Sequence, residues 1–188
     1  MKKIAIFASG TGSNFEAVTK ACQEGIINAK VSLLVCDKPE ALVVPKARRM
    51  NVEVFTVSPK EYENKETYEE VILAQLQKHK VELVVLAGYM RLIGKTLLEA
   101  YPDRIVNIHP SLLPEFPGMN SIRRAFESGV KETGITVHYV DSGIDTGPII
   151  AQRVVVIDES DTLERLEEKM HQVEHQLYVE VLKELCGE

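Results

Sequence analysis

An amide and an imidazole stand two residues apart in the run Asn107-Ile108-His109-Pro110-Ser111-Leu112-Leu113-Pro114. The residues leading into them, Asp103 to Ile108, read as a short buried strand. Residues i and i+2 of a strand point to one face, so Asn107 and His109 lean into the same space. Pro110 lacks a backbone donor and holds the preceding residue extended, which ends the strand there. Open α/β sheets place their ligands at such strand ends. An amide NH₂ and an imidazole that converge there are the parts needed to hold a carbonyl as it becomes an oxyanion. Taken alone, the same run also describes a hydrogen-bonded histidine beside a turn.

A second loop, Val140-Asp141-Ser142-Gly143-Ile144-Asp145-Thr146-Gly147-Pro148, sets two glycines, a proline and two aspartates between β-like runs. It reads either as a solvated turn or as the source of a carboxylate that meets His109. A carboxylate beside an imidazole favours the charged ring and fixes its orientation, which would make His109 a better general acid. Near the N-terminus, Ser9-Gly10-Thr11-Gly12-Ser13-Asn14 follows a strand and opens a helix. Glycine admits positive φ and a close ligand, and free N–H groups at a helix start favour a phosphate. The loop lacks the Lys-Ser/Thr ending of a Walker A motif, and Phe15 breaks a Gly-x-Gly-x-x-Gly pattern, so a dinucleotide is not favoured. A capped tight turn and a phosphate cradle fit this segment equally well. Leu86-Ala87-Gly88-Tyr89-Met90-Arg91-Leu92-Ile93 is largely apolar and follows a strand. It fits the wall of a pocket for a flat ligand and, for most of its side chains, ordinary core packing.

His171-Gln172-Val173-Glu174-His175 matches the His-x-x-Glu-His zinc pattern. Around it, Leu163, Leu166, Met170, Val173, Leu177, Val181 and Leu185 recur at spacings of three and four, the mark of a helix packed on a core. No third-ligand signature accompanies the pattern, and no metal is expected.

Stepping outward, short apolar runs alternate with helical ones. Strands are predicted at Lys3 to Ala8, Lys30 to Val35, Val52 to Thr56, Leu83 to Ala87, Arg104 to Ile108, Gly134 to Tyr139 and Ile149 to Val156. Helices are predicted at Asn14 to Gln23, Val44 to Met50, Thr67 to His79, Lys95 to Ala100, Ser121 to Ser128 and Thr162 to Leu185. This order gives an α/β fold, a mostly parallel sheet covered on both faces. The last two strands are joined by a loop without a helix and should be antiparallel. At 188 residues the chain fits one domain. Its hydrophobic share of 45% is ordinary for a globular protein. No run is long enough to span a membrane, and no signal or transit peptide is read. The three cysteines are far apart and suit free thiols in a reducing cytoplasm. A net charge of −6 without a basic block argues against nucleic acid or an anionic membrane as partner.

Gly-Thr-Gly-Ser-Asn after the first strand, Ala-Gly-Tyr-Met-Arg, Asn-Ile-His-Pro-Ser-Leu-Leu-Pro and Asp-Thr-Gly-Pro-Ile occur in one order along the whole chain. In this the chain resembles the folate-dependent phosphoribosylglycinamide formyltransferases of purine synthesis. The His-Pro-Ser-Leu-Leu-Pro core is shared with other formyltetrahydrofolate enzymes. The Gly-Ser-Asn loop, the short length and Glu174-His175 point to this member.

The resemblance implies a single Rossmann-like formyltransferase domain over 1–188, with a phosphate-binding N-terminal half and a folate-binding, catalytic C-terminal half. It makes Asn107, His109 and Asp145 the catalytic trio. Gly12, Ser13 and Asn14 would hold the ribotide phosphate, and Glu174 its ribose or amine. Lys65, Met90, Arg91, Leu92 and Ile93 would line the folate side together with Asn107. Leu97, Leu98 and the loop from Val140 and Asp141 to Asp145 would close around the pteridine. The co-substrate would be 10-formyltetrahydrofolate, the acceptor glycinamide ribonucleotide, and the protein a cytoplasmic monomer or homodimer without a metal. After Phe116-Pro117-Gly118 the chain departs from the family, with Met119-Asn120-Ser121-Ile122 where small or histidine residues are common. Three alternatives stay open: a formyltetrahydrofolate hydrolase using the same trio on water, a transferase acting on initiator methionyl-tRNA, and a non-catalytic nucleotide-binding module. The first two usually carry an added domain.

Overall fold

Strand β1 (Lys2–Ala8) buries Ile4, Ile6 and Ala8 on one face and Ala5 and Phe7 on the other. The same two-sided burial holds in β4 (Leu83–Leu86), with Leu83 and Val85 opposite Val84 and Leu86. Strands apolar on both faces need helices on both faces, and the chain supplies them. The computed structural model describes residues 1–187. Glu188, the last residue of the expected domain, lies outside the described residues.

The other strands are β2 (Ala29–Cys36), β3 (Val54–Thr56), β5 (Ile105–His109), β6 (Glu132–Tyr139) and β7 (Ile149–Val156). They form one sheet in the order β3-β2-β1-β4-β5-β6-β7. Helices α1 (Ser13–Gln23), α2 (Val43–Arg49) and α6 (Leu163–Leu185) cover one face, with Ile122 and Phe126 of α5 (Ser121–Ser128) packed against the same core. Helices α3 (Lys65–Lys78) and α4 (Lys95–Ala100) cover the other. Predicted and observed bounds agree within about two residues, because uninterrupted Val, Ile and Leu mark the strands; α3 starts at Lys65 and not at Thr67, since Asn64 caps it by accepting the Thr67 N–H, as Thr162 caps α6 by accepting from Arg165.

β1 to β5 pair in parallel. β6 alone runs the other way, antiparallel to both β5 and β7. The antiparallel β6–β7 pair agrees with the sequence, but the β5–β6 pair has a helix between its strands. α5 does not cross the sheet: the chain re-enters at the end where β5 leaves it, with His109 paired to Thr136.

The strand order reverses between β1 and β4, whose C-terminal ends diverge into separate loops. Such a switch point leaves a crevice. On β5, Val106 and Ile108 join the α1/α6 core, whereas Asn107 and His109 face the α3/α4 side. Tyr178 of α6 reaches the same strands from behind. Its ring is fully buried, and its hydroxyl donates to the Leu86 carbonyl at 2.6 Å with the Val106 carbonyl 3.3 Å away. Tyr178→Phe should lower stability by about 1–2 kcal/mol, the scale of one buried hydrogen bond. A lower urea midpoint at unchanged slope would register that loss.

Candidate active site

His109 ends β5 and is almost fully buried. Its Nε2 lies 2.9 Å from the Phe116 carbonyl and 3.1 Å from Ser121 Oγ. A carbonyl only accepts, so Nε2 carries a proton and donates. On the other side, Nδ1 lies 3.5 Å from Asp145 Oδ2. The loop that bears Asp145 is bound to itself. Asp141 Oδ1 accepts from Thr146 Oγ1 at 2.6 Å and from the Gly143 N–H at 3.0 Å. Those bonds, the Thr146 hydroxyl foremost, hold the Asp141 carboxyl below its usual range. Asp145 itself adopts φ 55 and receives the Gly118 N–H on Oδ2 at 2.8 Å.

The register of β5 and β6 adds a residue that the motifs did not single out. Asn107 pairs directly with His138, so their side chains share one face. His138 donates from Nδ1 to the Tyr139 carbonyl at 2.8 Å. Its Nε2 lies 3.5 Å from Asn107 Nδ2 and 3.7 Å from Asp145 Oδ1. A lone histidine in an apolar strand carries no visible signal until its partner strand is known. Two positions along, Thr136 Oγ1 donates to the Ser111 carbonyl and accepts from the Leu113 N–H, fixing the proline-flanked turn after His109.

Asn107, His109, His138 and Asp145 open onto one cavity of about 680 Å³. Met90, Arg91, Leu92 and Ile93 line it too, as do Val140 and Asp141. Met90 and Leu92 are more than half exposed there. Arg91 donates from Nε to the fully buried Asp37 carboxylate at 3.0 Å, which fixes its guanidinium in this lining. Met119, Asn120, Ser121 and Ile122 lie in the lining too. Lys65, Leu97 and Leu98 do not: Leu97 is core, Leu98 packs on that core, and Lys65 is exposed at the start of α3. Lys65 and Glu69 pack over Gly94, just behind Ile93. Glu69 accepts the Gly94 N–H at 2.7 Å.

The β1–α1 loop meets this region through Ser9, whose Oγ accepts the Met90 N–H at 2.9 Å. Gly12 is left-handed at φ 78, and a Cβ there would stand 2.5 Å from a Val43 methyl. No side chain caps α1, so its first N–H groups are open to an anion. Asn14 Nδ2 reaches Glu174 Oε1 at 3.5 Å, and Glu174 Oε2 takes a 2.7 Å bond from His171 Nδ1. His171 in turn lines the cavity. The His-x-x-Glu-His run therefore ties α6 to the α1 loop. The Glu174 bond pushes the His171 imidazole above its ordinary range, whereas burial pushes that of His175 below it.

A formyl transferase family model matches residues 2–182. The chain is 56% identical over 187 residues to a Bacillus subtilis protein described as phosphoribosylglycinamide formyltransferase, covering 100% of this chain and 96% of that one. It is 36% identical to the protein of the same description from Haemophilus influenzae, covering 97% and 86%. The crystal structure of glycinamide ribonucleotide transformylase 1 from Geobacillus kaustophilus superposes with a TM-score of 0.96 at 55% identity, covering 99% of each chain.

The raised imidazole of His171 has a signed consequence. A group with a raised folded-state pKa contributes stability below its unfolded pKa and loses it as pH rises through the folded value. The exposed half of the ring keeps that contribution small. Stability curves for wild type and His171→Gln should therefore converge as pH is raised from about 6 to about 8. Parallel curves across that range would dissociate His171 from Glu174.

Proposed function

The chain belongs to the formyl transferase family, and on that footing we propose that it transfers the formyl group of 10-formyltetrahydrofolate to the amine of glycinamide ribonucleotide, an activity of purine synthesis. One observation carries the reading of the chemistry. Asn107 and His109 share a strand face at the crevice, with Asp145 3.5 Å from the His109 ring, and all three open onto a cavity of about 680 Å³. That volume suits a drug-sized ligand, and the largely apolar 90–93 segment in its lining suits a flat ring system.

In this reading the ribotide amine attacks the formyl carbon directly. Asn107 and His109 donate to the oxygen as it gains charge, in a site formed before the reaction begins. Asp145 orients the His109 ring and stabilises its charged form. His109 helps carry the proton that leaves the amine and reaches the departing folate nitrogen, through a water. No nucleophilic side chain is required.

Gly12, Ser13 and Asn14 take the ribotide phosphate, a role supported by the uncapped start of α1 and the left-handed Gly12. Glu174, anchored by His171 and Asn14, contacts the ribose or amine. Met90, Arg91, Leu92, Ile93, Val140 and Asp141 receive the folate. Lys65, Leu97 and Leu98 support that wall from outside the lining.

Incubation with 10-formyltetrahydrofolate, with and without glycinamide ribonucleotide, tests the assignment. Formylated ribotide should appear, and folate turnover should depend on the ribotide. Equal turnover without it would mean a hydrolase instead, and no turnover would remove the assignment. His109→Ala should lower kcat by roughly 10²–10⁴-fold, the span of a positioned acid-base group. KM should change far less, because the loss falls on the transition state. A variant with near-normal kcat would exclude His109 from proton transfer.

A further inference from the structure

The turn between β5 and α5 contains a polar side chain without a part in the chemistry above. Ser121 is the first residue of α5 and is 4% exposed. Its hydroxyl donates to the Gly118 carbonyl at 2.9 Å. A hydroxyl has a single proton, so toward His109 Nε2, 3.1 Å away, Ser121 Oγ acts only as an acceptor. The Phe116 carbonyl acts the same way at 2.9 Å. Both acceptors belong to one short turn, in which Phe116, Gly118 and Asn120 all adopt positive φ. Gly118 also donates its N–H to Asp145 Oδ2 at 2.8 Å. One residue of the turn thus takes the Ser121 proton and gives its own to the carboxylate beside the histidine.

We propose that Ser121 is a positioning residue for the formyl-transfer reading above. With Phe116 it commits His109 Nε2 as a donor into the protein and leaves Nδ1, beside Asp145, as the nitrogen that exchanges the proton. The ring cannot turn over without setting its other edge against two acceptors already placed for an N–H. Asp145 faces Nδ1, and His138 approaches the same carboxylate from β6. The acid-base axis of the site therefore runs through Nδ1.

Ser121→Ala removes the hydroxyl, and with it both the acceptor beside His109 Nε2 and the bond to the Gly118 carbonyl. It should lower kcat roughly tenfold, the scale of one hydrogen bond to a charged group, with KM for both substrates within about twofold. Ser121→Thr restores an oxygen at that site and should recover most of the rate. With ¹⁵N-labelled histidine, the His109 Nε2–H signal should exchange with water faster in Ser121→Ala than in wild type, with no substrate present. A thermal melt confirms that each variant is folded. Wild-type kcat and wild-type Nε2–H exchange in Ser121→Ala would overturn the proposal, as would a Thr variant no better than Ala. If the wild type proves inactive with the two substrates, the activity reading falls, while the exchange measurement still decides whether Ser121 holds the ring.

Discussion

The Asp145 carboxylate is the point on which the site depends. It stands between two imidazoles from neighbouring strands and receives a backbone N–H from the turn that follows one of them. Three parts of the chain, β5 with its exit turn, β6, and the 140–148 loop, are thereby referred to a single charge. A carboxylate only 12% exposed is costly unless its partners are in place, so its surroundings cannot drift independently. Asp145 adopts a left-handed backbone, uncommon for a residue other than glycine though less so for Asp. Asp141 supplies the closure that makes such a conformation affordable.

The sheet converts this local arrangement into a pocket. Most sheet residues bury apolar side chains on α1/α6 or on α3/α4. Asn107, His109, Thr136 and His138 break that rule on one face near the strand ends. Asn107, His109 and His138 face a cavity instead of a helix, and Thr136 holds the turn after His109. The β1–β4 switch point opens the space, and the 90–93 segment lines it.

Much of this was legible in the sequence. Pro110 fixed where β5 stops, and i, i+2 alternation put Asn107 and His109 on one face before any partner strand was known. The glycine-rich turn after β1 was legible as the start of a helix. His138 was not, because its role comes from lateral register with Asn107, and register has no signature within a single strand. The β5–β6 pairing was hidden for a similar reason. A helix between two strands ordinarily implies a crossover, and nothing in Ser121 to Ser128 says that α5 stays at one end of the sheet. The Ser121 contact arises in a turn built from positive φ values that no periodicity reports. Leu97 and Leu98 read as pocket residues only by resemblance; in the structure Leu97 is core and Leu98 packs against it.

α6 has a consequence for how the molecule comes into being. It is the last element of the sheet-and-helix framework to be synthesised, yet Tyr178 braces the backbone of β4 and β5, and Glu174 and His171 connect the α1 loop to the cavity. A growing chain that ends before residue 171 already holds all seven strands and the residues Asn107, His109 and Asp145. It lacks the brace and the link to the α1 loop. The α1 loop and α6 meet at Asn14 and Glu174, 160 residues apart in the chain, so this link can form only after every strand between them has been made.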